Sequence, residues 1–195
     1  MPAREVAVIG AGVAGLAVAV LLARAGNRVR VLERFASPRP VGAGLLLQPT
    51  GLAALERMGL QAAALALGAP IHRLEGRTVE GQPIFDVRYD DLVPDRPGLP
   101  LHGLGVHRAM LHRLLWDAFL ASGAMLETAR VIVDLRPAAG GRTHPIGADG
   151  WVHAGADLVV DASGAGSKLR ALVSRQRAKP YSFGAMWAVV PDRGL

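Results

Sequence analysis

Cysteine is absent from this chain of 195 residues, which excludes disulfides, thiolate metal sites and cysteine nucleophiles. That absence agrees with a reducing compartment, and the expected location is cytoplasmic. Lysine is scarce as well: Lys168 and Lys179 stand against arginines spread from Arg4 to Arg175 and beyond. The net charge is +6 and the pI about 10.9, yet no dense basic run forms. Aromatic residues make up 5% of the chain, so nucleic-acid bases would find few stacking partners. Scattered arginine reads as solvated surface, and no nucleic-acid partner is expected. The histidines (His72, His102, His107, His112, His144, His153) show no metal-ligand spacing, and none is assigned to a metal. His107 and His112, five residues apart, do not share a helix face. No side chain offers itself as a catalytic acid, base or nucleophile, so no catalytic residue is assigned.

The longest apolar stretch is "VAVIGAGVAGLAVAVLLARAG" (6–26). A signal peptide would want a basic start and a short apolar core, but Arg4 is offset by Glu5 and the run continues to Ala23. A membrane-spanning helix needs about 20 apolar residues, and this run falls short of that. Neither reading explains the glycines. A nucleotide-binding unit explains each of them. "EVAVI" (5–9) is a β-branched run suited to a strand buried on both faces. Gly10, Gly12 and Gly15 then form G-x-G-x-x-G at a strand-to-helix turn. The first allows the turn, the second admits a pyrophosphate to the backbone, and the third lets helix and strand pack closely. A helix over 13–25 follows, with small Ala19 toward the sheet, and Gly26 ends it. "RVRVLE" (28–33) is a second strand ending on Glu33, where such a unit places its acceptor for ribose hydroxyls. An anion there disfavours a ribose 2′-phosphate and favours FAD or NAD over NADP; Arg34 beside it leaves that choice open.

Residues 35–50 read as a loop marked by Pro38, Pro40, Gly42 and Gly44, closing on a short apolar run. Thr50 is expected to cap a helix over 51–59 with Leu52, Leu55 and Met58 on one face. Residues 60–70 extend it by a turn or two, ended by Pro70. "IHRLEGRTVEGQPIFDVRYDDL" (71–92) predicts a hairpin turning at Gly81, followed by a loop carrying Pro94, Pro97 and Pro100. "GVHRAMLHRLLWDAFLASG" (105–123) predicts an amphipathic helix whose apolar face holds Leu111, Leu114, Leu115, Ala118 and Phe119. Trp116 and Phe119 at helix spacing read as core. Short strands are expected at 124–128 and 130–136, then a hairpin with "ADG" (148–150) in its turn. "ADLVVDASGAGSKLRALV" (156–173) predicts a buried strand, a Gly/Ser turn and a helix start, with Gly164, Gly166 and Ser167 offering donors to an anion. "YSFGAMWAVVP" (181–191) predicts a final strand.

These stretches together resemble the FAD-dependent aromatic-hydroxylase family, the flavoprotein monooxygenases built like p-hydroxybenzoate hydroxylase. Four segments carry the resemblance: the glycine-rich unit through Glu33, "GAGLLLQPTGLAALERMGL" (42–60), "VHRAMLHRLL" (106–115) and "ADLVVDASGAGSKLR" (156–170). It implies an α/β fold: a Rossmann-like FAD-binding domain, a parallel sheet with a β-meander, plus the beginning of a β-rich substrate domain. The domains expected are 1–70 with 101–180 for FAD, and 71–100 with 181–195 for a partial substrate domain. It also implies cofactor contacts from Val13 and Ala14 beside the three glycines, and from Glu33 and Arg34. Gly44 and Gln48 are implied near the flavin, Arg108 at the FAD phosphates, and Val131, Asp161, Ser163 and Gly164 as further contacts.

The function implied is FAD-dependent hydroxylation of a small aromatic or polyketide-like substrate, with NADH or NADPH as electron donor. A protein of this kind needs few catalytic side chains, because the cofactor carries the oxygen chemistry. Two departures stand out. Ser163 occupies the place of a usual aspartate, and Asp161 that of a commoner glycine. This pattern is closer to flavin-dependent halogenases and reductases of the same fold, which stay as alternatives, as does a nucleotide-binding module without catalysis. The chain is also about half a family member's length, so it is expected to be an N-terminal fragment with weak turnover and exposed apolar surface. Oligomeric state is left open.

Overall fold

The computed structural model describes residues 2–38, 44–93, 100–176, 179, 181–182 and 184. Along the chain come β1 (Glu5–Ile9), α1 (Val13–Arg24), β2 (Arg28–Leu32), β3 (Gly44–Leu47), α2 (Pro49–Arg57), α3 (Gln61–Leu65) and β4 (Gly68–Ile71). Then follow β5 (Arg73–Arg77), β6 (Pro83–Arg88), β7 (Gly103–His107), α4 (Arg108–Ala121) and β8 (Met125–Glu127). The last are β9 (Ile132–Pro137), β10 (Thr143–Gly147), β11 (Leu158–Asp161) and α5 (Arg170–Val173). They divide into two compact units, 1–40 with 115–195, and 41–114.

The first unit is built on a parallel sheet in the order β11-β1-β2-β8. β1 is central and buried along almost its whole length, which is why it reads as a continuous apolar run. Its two faces have different partners. Ala7 and Ile9, with Leu32 of β2, pack on Ile132 of β9 and on Ala156 and Leu169, and Trp151 and Val159 close that core. Val6, Val8, Val29 and Val31 alternate to the other face, where α1 supplies Leu16, Ala19 and Val20, all fully buried. β9 and β10 form an antiparallel hairpin, and after the turn at Gly150 (φ +84°) the chain returns along it through isolated bridges at Val152 and Ala156. The parallel sheet with a meander is therefore present.

The second unit holds an antiparallel sheet in the order β3-β7-β4 and the separate hairpin β5-β6, which turns at Gly81 (φ +85°) as its sequence requires. Leu52, Leu55 and Met58 form the buried face of α2. On the hairpin, Arg73, Glu75, Asp86 and Arg88 share one face in a ladder of ion pairs, while Leu74 lies opposite Val87, and Phe85 covers Gly76, on the other face.

Four expectations need correction. The helix expected from 105 starts at Arg108, because 103–107 are held as a strand between β3 and β4. α2 starts at Pro49 with Gln48 at its N-cap, so Thr50 lies inside the first turn and does not cap it. Proline at the first helical position has no N–H to leave unsatisfied, and this draws the start forward. Pro70 does not end a helix; it lies within β4, an edge strand, where a residue without an N–H is tolerated. The strand expected to be buried before the second Gly/Ser turn, β11, is an edge strand with Leu158 and Asp161 exposed, while the helix start expected after that turn is present as the single turn of α5. Of the strand read at 181–191, only Tyr181, Ser182 and Gly184 are described, and they are not strand; the rest lies outside the described residues, as do 39–43 and Pro94 and Pro97 of the loops.

Candidate functional site

The carboxyl ends of β1, β2 and β11 lie side by side in the parallel sheet, and most of the expected contacts of the first unit collect there. The three glycines stand for three different physical reasons. Gly10 has φ +103°, and a Cβ on it would lie 2.7 Å from the Ala162 carbonyl oxygen, so it is required both by its backbone and by the loop after β11. At Gly15 a Cβ would drive into the Gly10 carbonyl, so the start of α1 can sit against the turn only without a side chain. Gly12 has ordinary extended angles (φ −75°, ψ −179°), and a Cβ on it would meet nothing within 4 Å. No packing among the described residues asks for glycine there. The space beside it is of the kind a pyrophosphate needs in order to touch the backbone at a helix N-terminus. Val13 and Ala14 open α1, and no acidic residue stands in its first turn to compete with an anion.

Glu33 follows directly on β2 and is 6% exposed. Its Oε2 accepts the Ala11 N–H at 2.7 Å and its Oε1 the Phe35 N–H at 3.0 Å, so the carboxylate is clamped to the glycine-rich turn. Each oxygen keeps acceptor capacity for a hydroxyl. The Glu33 backbone is fixed by Glu127, the last residue of β8, and by Arg130 just after it. Arg34 is exposed and stacks its guanidinium 4.6 Å from the Phe35 ring. Val131 is 46% exposed, and its carbonyl accepts the Ala148 N–H.

At the end of β11 the structure revises the expected donor loop. Asp161 Oδ1 accepts both the backbone N–H (3.1 Å) and the hydroxyl (2.5 Å) of Ser163, and Oδ2 accepts the Ser167 hydroxyl. Ser167 Oγ in turn accepts the N–H groups of Leu169 and Arg170. These hydroxyls are spent on Asp161 and on the α5 cap, so they are not free donors for an anion. Burial pushes the Asp161 carboxyl up, and the bonds from Ser163 and Ser167 with the nearby Arg170 charge outweigh it, holding it below the usual carboxylate range. Gly164, at φ +90°, makes the loop's turn. The carboxylate that the resemblance places at 163 therefore acts from 161, tying down the loop against which Gly10 packs.

In the second unit Gly44 pairs with His107 in the β3-β7 ladder. Arg108 begins α4, exposed and paired with no described residue. Gln48 is exposed at the N-cap of α2, where its side chain makes no cap bond; instead its Oε1 accepts the Tyr89 hydroxyl at 2.7 Å. Tyr89 was not visible as a functional residue in the sequence, since nothing in "VRYDDL" marks a buried phenol whose partner lies 41 residues away. Among the described residues no group of His, Asp and Glu could hold a metal ion, and no helix is long and apolar enough to cross a membrane.

A parallel sheet with a glycine-rich turn at the carboxyl end of its central strand, an open N-terminus on the following helix and an acid after the second strand define a dinucleotide-binding α/β domain of the Rossmann type. The sequence profile described as FAD binding domain matches residues 3–190, and the chain belongs to that family. FAD is the cofactor, and the space at Gly12 and the clamped Glu33 carboxylate fit its pyrophosphate and ribose. The chain is 37% identical over 188 residues to a 3-amino-4-hydroxybenzoate 2-monooxygenase of Streptomyces cremeus, covering 96% of this chain and 46% of that protein. It is 35% identical over 181 residues to a kynurenine 3-monooxygenase of Salinispora tropica, covering 85% and 37%. Among solved structures, 2-methyl-3-hydroxypyridine-5-carboxylic acid oxygenase superposes with a TM-score of 0.71 at 28% identity, covering 89% of this chain and 43% of that one. The chain spans about half the length of the curated relatives it matches.

Proposed function

We propose that this chain is the FAD-binding part of a flavin-dependent monooxygenase that hydroxylates a small aromatic, acid-bearing substrate. The observation that carries the reading is Gly12, a helix N-cap whose missing side chain leaves space that none of the described residues uses. Bound there, FAD supplies the electron storage and oxygen activation that no side chain of this protein can provide. The backbone N–H groups of the turn through Val13 and Ala14 receive the pyrophosphate, and the N-terminal end of α1 favours its charge. Glu33 accepts the ribose hydroxyls, while Val131 and Arg34 border the adenine. Arg108 offers a guanidinium to phosphate oxygens, and Gly44 and Gln48 border the flavin ring. Asp161, Ser163 and Gly164 keep the neighbouring loop in place.

The monooxygenase names of the relatives support hydroxylation over halogenation or reduction, and the acid-bearing substrates in those names support the substrate class. NADH or NADPH as electron donor, a substrate region formed by 71–100 with 181–195, and a cytoplasmic location complete the proposal. The test is spectroscopic. Purified chain mixed with FAD and desalted should retain a visible flavin band, and anaerobic NADH or NADPH should bleach it. A chain that binds NAD but never FAD would overturn the reading.

A further inference from the structure

We infer that Tyr89 is a positioning residue: its hydroxyl fixes the amide of Gln48 so that the amide's N–H2 faces outward as a hydrogen-bond donor to bound flavin. The inference rests on the flavin reading above and adds to it a residue and a direction.

Gln48 occupies a helix N-cap, the position where a side chain usually bonds the helix's own N–H groups. It does not do so here. Its backbone carbonyl accepts the Gly51 and Leu52 N–H groups at 2.8 and 3.1 Å, while its side chain turns to Tyr89. Tyr89 is 2% exposed, with its own N–H bonded to the His72 carbonyl at 2.9 Å, so the phenol ring has little freedom to move. Its hydroxyl lies over β7 at Gly103, where a Cβ would come within 3.0 Å of that oxygen and 2.7 Å of Leu46 Cδ1. Glycine at 103 is what allows the phenol to reach Gln48.

The direction of the bond follows from the donor count. A phenol has one proton to place, and Gln48 Oε1, at 2.7 Å, is its acceptor. Were the amide flipped, Nε2 would donate to the phenol oxygen and the phenol's own proton would be left without an acceptor among the described residues, a costly arrangement for a group this buried. Oε1 is therefore held inward, and Nε2 points away from Tyr89. Gln48 itself is exposed, and its N–H2 donates to no described residue. The result is a neutral, oriented donor pair suited to a carbonyl oxygen or unprotonated ring nitrogen at the edge of a flavin.

The test measures FAD affinity by quenching of flavin fluorescence, with melting temperature followed alongside, for the full chain and its Tyr89→Phe, Gln48→Leu, doubly substituted and Gln48→Glu forms. Tyr89→Phe and Gln48→Leu should each weaken FAD about 3- to 10-fold, the loss expected of one neutral hydrogen bond. The double form should be no weaker than Gln48→Leu alone, because Tyr89 acts only through Gln48. Gln48→Glu still accepts from Tyr89 but has lost both donors; it should melt as the wild type does and bind FAD at least as poorly as Gln48→Leu. That variant also decides the matter if Tyr89→Phe fails to fold. Losses that simply multiply in the double form, or a Gln48→Glu form that holds FAD as tightly as wild type, overturn the inference while leaving the flavin reading intact. A wild-type chain that takes up no FAD overturns both.

Discussion

Gly12→Ala separates what the glycine-rich turn does for the fold from what it does for the ligand. Its angles, φ −75° and ψ −179°, are open to alanine, and the added methyl meets no atom of the described residues within 4 Å, so neither strain nor clash with them opposes folding. Alanine is a poorer N-cap than glycine by about 0.5–1 kcal/mol, and a stiffer unfolded chain returns about 0.4–1 kcal/mol. The net is within about 0.5 kcal/mol, a shift of no more than about 2 °C in Tm for a chain of this size. The ligand suffers far more. A methyl group in that space pushes the pyrophosphate off the backbone, and each charge-assisted bond lost is worth about 1.5–3 kcal/mol. One such bond corresponds to a weakening of FAD by about 10- to 150-fold. Gly15→Ala is the control, because its Cβ would enter the Gly10 carbonyl and the fold itself must give way. Thermal melts and FAD titrations on the three proteins settle the matter. A Gly12→Ala form that binds FAD like wild type would falsify the assignment of that space to the pyrophosphate. One that melts as low as Gly15→Ala would show that Gly12 is structural after all.

Asp161→Asn keeps a carbonyl acceptor but loses the charge and one of its hydroxyl bonds. With the side chain partly open to solvent, it should cost about 1 kcal/mol in a denaturant melt and loosen FAD several-fold; unchanged FAD affinity would remove the loop from the site. His153 is buried, its Nδ1 accepts the Gly155 N–H at 3.2 Å, and burial first, then the Arg30 charge, holds its pKa below the ordinary 6.5. A depressed histidine pKa means the unfolded chain binds the proton more readily, so stability is complete above about 6.5 and falls as the pH drops through that value. Tm measured from pH 7.5 to 5 should decline in the wild type and decline less in His153→Asn, which keeps an acceptor but cannot be protonated; parallel curves would refute this. Leu16, 0% exposed on the face of α1 turned to β1 and β2, should cost about 2–5 kcal/mol when cut to alanine. A chemical denaturation midpoint that does not move would mean that α1 is not seated as described.

How much could be read without the structure differs from element to element. The β1-α1-β2 unit is legible because each part is a local signal: an apolar run, glycines at fixed spacing, an acid after the second strand. The boundaries of α1 and of the β5-β6 hairpin follow closely from pattern and turn residues. β7 is not legible, because "GVHRAMLHRLL" runs with helical periodicity back to Gly105, and only the ladders to Leu45–Leu47 and Ala69–Ile71 make it a strand. Pro70 misleads for the same reason: whether proline breaks an element depends on whether its missing N–H was needed, and on an edge strand it is not.

The amino-acid sequence by itself determined the kind of domain this is and the nucleotide end of its site, since a glycine-rich turn between strand and helix carries its chemistry in residues a few positions apart. Tertiary structure decided what each of those residues is for. Gly10 and Gly15 are glycines because other backbone comes too close, whereas beside Gly12 the described residues leave open space. Asp161 braces the loop that carries Ser163 and Ser167, and Tyr89 reaches Gln48 across Gly103 from 41 residues along the chain. Contacts of that separation leave no periodicity and no spacing to read, because they exist only once the strands between them have paired.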